Sequence, residues 1–382
     1  MKRMQTRKYK ICSNCIMDTS DEKIKFDKEG VCDHCRIFKL KTEKIWKTNI
    51  SNKKNFETLI QNIKKKSRNK DHDCIIGMSG GIDSSYLVYL AVKKMGLKPL
   101  IFHVDAGWNS QIAVNNIEKI VDNLKLDLFT EVINWQEMKD LQLSFFKSGV
   151  PHIDTPQDHA FFATMYKFAS KYKIKYILTG GNYSTECIRN PKEWMYFQSD
   201  LKQLKDIQKK FGSKKLKDFP TTSILWHKIW LPYIERIKVI RPLDYFEYNK
   251  EDAMKLLSNK FGWQPYPQKH FESRFTKFYE SYWLTKRFGY DVRRVQLSSL
   301  ILTKQITREK ALEEVSKSPY NKSDIKTELL FIANKLDISL DELNSYLNLP
   351  KKTYRDYKNQ DFIYDLGNKI YNFLNIESGG KR

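Results

Sequence analysis

Residues 77–85 read Gly-Met-Ser-Gly-Gly-Ile-Asp-Ser-Ser, between the apolar run Cys74-Ile75-Ile76 and the helical pattern Tyr86 to Val92. That order is strand, tight turn, helix. Gly80 and Gly81 let the backbone turn sharply and approach an anion with no Cβ in the way. Ser79, Ser84 and Ser85 add hydroxyl donors, and the helix aims its free N–H groups and positive end at the same point. Such a turn is built to hold phosphate. A kinase-type or GTPase-type loop needs Gly-x-x-x-x-Gly-Lys-Ser/Thr, and no lysine stands here.

The rest of the chain supplies a sheet around this turn. Strands are expected at 73–78, 99–104, 128–133 and 176–179, with helices at 56–66, 111–124 and through 161–168 between them. Strands alternating with helices give a mostly parallel sheet covered on both faces. Ligands of such α/β sheets bind beyond the carboxyl ends of the strands. Ser79–Ser85, Asp105 and the second glycine turn Gly180-Gly181-Asn182 fall at those ends. Residues 1–50 are expected to form a metal ribbon and a lysine-rich linker, 51–250 the nucleotide domain, and 251–382 a helical region for substrate or partners. Within the second unit, 184–240 is irregular and rich in Trp and Tyr, either shaping a pocket or packing.

Four of the six cysteines form Cys12-x-x-Cys15 and Cys32-x-x-Cys35. This is the spacing of a four-thiolate zinc site that closes all four positions and staples a fold. Thr19 to Gly30 between the pairs reads as a β-hairpin, and His34 as a bystander; a redox role is the weaker alternative. Cys74 reads as a small apolar strand residue, and a reactive thiol at Cys187 stays open.

A net charge of +23 suggests a polyanionic partner. The excess is 54 Lys against 14 Arg, scattered along the chain, whereas base and phosphate readers favour the arginine fork. A solvated surface, or a basic cleft for ATP and an anionic substrate, accounts for it without nucleic acid. No apolar run is long enough for a membrane span, and no apolar stretch follows the basic N-terminus. The expected location is the cytoplasm.

Asp83 admits two readings. A carboxylate beside phosphates fits if Mg²⁺ bridges them; otherwise Asp83 caps the helix. Asp105 is placed near adenosine or the reacting atoms, while His103 reads as a packed strand histidine. Glu186, one turn beyond Asn182, could serve a metal or orient ammonia, and Asp158 reads as a helix cap. No Gly-x-Cys-x-Gly elbow and no N-terminal cysteine marks a glutaminase.

The loop Ser79–Ser85 resembles that of the PP-loop ATP pyrophosphatases. Taken with the cysteine pairs, Arg241-Pro242-Leu243-Asp244-Tyr245, the stretch from His270 to Leu284 and that from Arg293 to Leu312, the chain resembles the N-acetyl sugar amidotransferases. The resemblance implies an adenine-nucleotide α-hydrolase-like fold that splits ATP between its α and β phosphates. Its loop, Ser79, Gly80, Gly81, Ile82, Asp83, Ser84 and Ser85, with Gly180, Gly181 and Asn182, would hold ATP, and Asp83, Asp105 and Glu186 would be catalytic. The cofactors implied are ATP, Mg²⁺ and structural Zn²⁺. The substrate implied is an acetamido sugar of a bacterial surface glycan, in lipopolysaccharide O-antigen or pseudaminic-type flagellin glycans, converted to its acetamidino form. A separate glutaminase resembling the histidine-pathway ammonia supplier would provide ammonia. His270, Arg274 and Lys277 are candidate sugar-binding groups, with a surface helix as the alternative. Replacing Ser79 or Asp83 by Ala is expected to abolish AMP formation. A PP-loop tRNA-modifying enzyme, of thiolase or lysidine type, is the rival reading.

Overall fold

The structure is a computed structural model describing residues 7–321 and 323–373. Five parallel strands, β1 (Cys74–Gly77), β2 (Pro99–Asp105), β3 (Leu128–Val132), β4 (Tyr176–Leu178) and β5 (Lys238–Ile240), form one sheet in the order β3-β2-β1-β4-β5. The chain winds outward from β1 through β2 to β3, then returns to the other side of β1 with β4. The strand order therefore reverses between β1 and β4, where a crevice opens in doubly wound sheets. The turns at 79–81 and 179–182 flank that crevice.

Successive side chains point to opposite faces of a strand. Ile75, Leu100, Phe102, Val104 and Ile177 accordingly face one core. Cys74, Ile76, Ile101, Tyr176 and Leu178 face the other. The second core is completed by the helices Ile82–Lys93, Gln111–Leu124 and Lys250–Phe261, the first by Trp135–Ser148 and Thr155–Lys171. The helix Gln111–Leu124 starts where the Ser110 hydroxyl accepts the Ala113 N–H at 3.2 Å. It stops at Lys125, whose φ is +52°.

Three expectations are corrected. Thr19 to Gly30 is not a hairpin: only the isolated bridges Ile11–Asp18 and Phe26–Cys32 pair there among the described residues, with turns between. The lysine-rich linker is largely helical, over Asp33–Ile37 and Glu43–Ser51. Residues 184–240 hold the helices Leu201–Phe211 and Trp226–Ile234 and the edge strand β5. In that segment Trp194 and Tyr196 are buried packing residues, stacked on Tyr290 and Tyr354. Trp230 and Tyr233 are exposed.

The four cysteine sulfurs converge within 4.8 Å of one another, all buried. Sulfur separations are 3.8 Å for Cys12–Cys35 and 3.6 Å for both Cys15–Cys32 and Cys32–Cys35. A tetrahedron with metal–sulfur bonds of ~2.3 Å has edges of roughly 3.8 Å, so the four thiols fit a tetrahedral metal. His34 turns away and bonds Asp21 at 2.8 Å. The C-terminal helices grip this unit: Arg308 donates to the Cys12 and Cys15 carbonyls at 2.9 and 3.1 Å. Arg294 donates to the Ile16 carbonyl and pairs with Asp18, and Ser298 accepts the Ile16 N–H. No helix among the described residues is long and apolar enough to cross a membrane.

Candidate active site

The loop after β1 turns on Gly80, whose φ is +83°. A Cβ there would stand 2.6 Å from the Ala113 carbonyl oxygen. The helix Ile82–Lys93 starts at Gly81 with no side-chain cap, which leaves its first amides free. Asp83 sits in that first turn and is not the cap. Instead its Oδ1 accepts from the Tyr248 hydroxyl at 2.7 Å and from Asn182 Nδ2 at 3.3 Å. Its Oδ2 pairs with Lys269 Nζ at 3.0 Å.

The turn after β4 is pressed against this loop. A Cβ on Gly180 would lie 2.9 Å from both Asp83 C and Ser84 N. Asn182 caps the short helix Tyr183–Glu186 by accepting the Thr185 N–H at 2.8 Å, and it also bonds the Gly180 carbonyl. The Arg241-Pro242-Leu243-Asp244 motif braces the same turn: Arg241 Nε donates to the Gly181 carbonyl, and Asp244 accepts the Tyr183 N–H. Gly180→Ala is expected to displace the Ser79–Ser85 loop and to weaken the nucleotide binding expected of that loop at least tenfold, with little loss of helicity. Titration of an ATP analogue, with circular dichroism as the control, checks this.

A cavity of about 180 Å³ opens between the two turns, lined by Ser79, Gly81, Asp83, Ser84, Gly180 and Glu186 from the sheet side. Its far wall is the extended segment after Gly262, contributing Trp263, Tyr266, Gln268, Lys269, His270 and Glu272. The segment is anchored at both ends. Trp263 Nε1 donates to the Gly80 carbonyl at 3.0 Å, while the Glu272 carbonyl takes Ser110 N–H and the Trp108 carbonyl takes Arg274 N–H, each at 2.8 Å.

Lys269 is the electrostatic centre. Its ammonium bonds Glu186 Oε1 at 2.7 Å as well as Asp83. Burial alone would discharge it, but the two carboxylates outweigh burial and hold its pKa above the ordinary lysine value. Burial likewise works to raise Glu186, and Lys269 more than offsets it, drawing Glu186 down to about 2. The His270 Nδ1 bonds the buried carboxylate of Glu280 at 2.8 Å. Burial opposes its charge, but Glu280 outweighs burial and lifts His270 to about 9. The Glu272 carboxylate lies over Gly81, where a Cβ would collide with it; burial pushes its pKa up.

Several expected site residues lie elsewhere. Asp105 accepts the Gly107 N–H at 2.7 Å, closes the turn after β2 and does not line the cavity. Ser85 is buried behind the loop. Arg274 and Lys277 both point at Glu328, each at 3.2 Å, and the Arg274 guanidinium stacks on Phe331. They tie the helix Ile325–Lys335 to the domain and do not reach the cavity. Asp158 lies in the first turn of Thr155–Lys171, whose cap position is Asp154. His103 bonds the Met78 carbonyl and Asn109, a packed strand histidine. Cys187 is buried, and burial pushes its thiol up to about 12, so it is no reactive thiolate.

Lys269 and Lys250, which line the cavity, and Tyr248, which bonds Asp83, belong to no motif in the sequence. The available signal was the extended Pro265-Tyr-Pro267 segment ending in Lys269 beside His270, since residues before proline are held out of the helix.

Residues 272–371 match the family model described as "LPS biosynthesis protein WbpG-like, C-terminal domain". No curated protein is detectably similar in sequence. Among solved structures, NMN synthetase from Francisella tularensis aligns with 16% identity over 58% of this chain and 91% of its own, at a TM-score of 0.29. NH3-dependent NAD synthetase from Campylobacter jejuni aligns with 13% identity over 59% of this chain and 99% of its own, at 0.28. The U34-tRNA thiolase NcsA from Methanococcus maripaludis aligns with 14% identity over 78% and 90%, at 0.30.

Proposed function

We propose that the protein is a cytoplasmic, ATP-dependent, AMP-forming amidotransferase. It would activate the acetamido carbonyl of a bacterial surface-glycan sugar and add ammonia to give an acetamidino group. The observation that carries this reading is the lysine-free Ser79–Ser85 loop at the strand reversal, facing a cavity whose carboxylates Asp83 and Glu186 share Lys269. The match of residues 272–371 to a lipopolysaccharide-biosynthesis family supports the choice of a surface-glycan substrate.

An amide carbonyl is a poor electrophile and cannot expel its oxygen as water. In the proposed reaction the amide oxygen attacks the α-phosphorus of ATP, the α–β bridge breaks and pyrophosphate leaves. Ammonia then adds to the imidate carbon, a C–N bond forms, and AMP leaves with the former amide oxygen. The free amides of the first helical turn and the Ser79 and Ser84 hydroxyls would receive the pyrophosphate. Lys269 would neutralise charge growing on it, an effect strongest where water is excluded. Asp83 and Glu186, which line the cavity, are the proposed Mg²⁺ carboxylates, and the ion when bound would offset phosphate charge. Ammonia would come from a separate glutaminase subunit.

The test is to incubate protein, Mg-ATP and ammonium with free and nucleotide-linked acetamido sugars. The reading expects AMP and a product in which NH replaces O, seen by mass spectrometry. AMP formation that depends on tRNA and on no sugar would transfer the protein to the tRNA-modifying class.

A further inference from the structure

The helix Trp226–Ile234 buries one apolar side and leaves another bare. Leu231 is 3% exposed and, with Ile237, belongs to the first core. The His227 ring stacks on Tyr166 at 5.2 Å, which fixes the helix to Thr155–Lys171. By contrast, Leu225, Ile229, Trp230, Tyr233 and Ile234 are all 50–64% exposed. They recur at steps of four and five residues, one turn apart in the wide π-type winding of this helix, so they share an outward face. Val239, in register with Ile177 of the first core, adds an exposed apolar group on the same side of the edge strand β5. A bare apolar face of this kind marks a surface for a protein or a membrane.

Cations crowd beside it. Segments 171–175 and 225–239 carry Lys171, Lys173, Lys175, Lys228, Arg236 and Lys238 against the single carboxylate of Glu235. The two segments meet. Lys175 Nζ donates to the Glu235 carbonyl at 2.8 Å, and the Lys238 N–H donates to the Lys175 carbonyl, also at 2.8 Å. The Glu235 carboxylate accepts the Trp230 indole N–H at 3.0 Å, so the apolar and cationic parts form one continuous surface. Lys70 joins from a third segment, its ammonium bonding the Lys173 carbonyl. Burial first, then Lys175 and Lys173, lower the Lys70 pKa, as expected where cations gather.

We propose that this surface docks on the face of an anionic phospholipid bilayer, its apolar side chains entering the headgroup region and its cations pairing with lipid phosphates. Three observations select this occupant. Exposed Trp and Tyr beside Leu and Ile, flanked by lysine, is the composition that settles at a membrane interface. Five of the six cations are lysine, which protein–protein interfaces deplete in favour of arginine, whereas an anionic lipid surface attracts either. In a closed dimer a second copy would meet this face with the same face, and the cations would oppose one another. Attachment would be peripheral, since no helix among the described residues is long and apolar enough to cross a membrane. None of these residues lines the cavity, so the inference stands apart from the proposed reaction.

The full-length protein is sedimented with vesicles of phosphatidylglycerol and phosphatidylcholine in equal parts, and with vesicles of phosphatidylcholine alone. Binding to the mixed vesicles is expected, at least tenfold tighter than to the neutral ones. Trp230→Ala together with Tyr233→Ala is expected to weaken it at least tenfold, and so is Lys171→Glu together with Lys238→Glu. Unchanged melting temperatures would show that both proteins fold. A net charge of +23 attracts anionic vesicles by itself, so the apolar pair decides. Unchanged binding in that pair, or no binding by the wild type, would overturn the docking face. Independently of any variant, brominated lipid chains should quench the wild-type tryptophan emission, and emission they leave untouched would overturn it too. Self-association that the apolar pair abolishes, without vesicle binding, would give the face to a second copy instead.

Discussion

Lys269→Met is expected to reduce ATP cleavage by about 10²- to 10³-fold, the range seen when one preorganised charge-stabilising donor is removed from an active site. Among the described residues Lys269 is the one cation bonded to both Asp83 and Glu186. Without it two carboxylates face each other in the cavity to which the proposed reaction brings phosphates, so the variant loses an attraction and gains a repulsion. Glu186, held down to about 2 chiefly against its own burial by Lys269, should then titrate at a higher pH. The fold should survive, because the anchors of this segment, the Trp263 indole N–H and the Ser110 and Arg274 amides, do not pass through the lysine side chain. Lys269→Arg keeps the charge but replaces a compact ammonium with a planar fork, and should recover only part of the rate. Steady-state release of pyrophosphate measures all three proteins. A rate within twofold of wild type for Lys269→Met would remove the lysine from the site.

Metal removal should have the largest effect on stability. Structural zinc in small domains supplies roughly 10–16 kcal/mol of apparent binding free energy, and here the four thiols already stand at tetrahedral spacing. Cys12→Ser, or a strong chelator, is expected to lower the melting temperature by several degrees or more. The damage should spread beyond residue 50. Arg308 and Arg294 hold carbonyls of the cysteine loops, so the helices Arg293–Leu302 and Arg308–Ser316 lose partners when those loops open. Hydrogen exchange should quicken in both helices, while β1 and β2 keep their protection. One equivalent of zinc per chain by elemental analysis is the companion expectation. A protein that carries no metal as purified and is indifferent to Cys12→Ser would refute the staple.

What the sequence made legible was local. Gly80 and Gly81 between an apolar strand and a helix specify a turn at short range, and the structure forms it. The helix Gln111–Leu124 falls on its expected residues because Ser110 caps it and its apolar positions repeat at helical spacing. Two Cys-x-x-Cys pairs announce a four-thiolate cluster for the same reason. What stayed hidden was long-range. β5 is three residues long, and its pairing with β4 supplies the order that its own sequence lacks. Lys269 reaches Asp83 only because the 263–273 segment folds back over the loop. Arg274 and Lys277 have the charge a sugar acid would need, but charge carries no direction, and Glu328 claims both. Asp105 ends its strand as expected, yet its carboxylate turns onto the Gly107 N–H.

In the proposed reaction the Ser79–Ser85 loop holds ATP for cleavage at the α-phosphorus. Chromatography of the nucleotide products, with an acetamido sugar and ammonium present, tests it most directly. AMP and pyrophosphate in equal amounts are predicted for the wild type, and neither for Ser79→Ala or Asp83→Ala. ADP and phosphate from the wild type, or undiminished AMP from both variants, would contradict it.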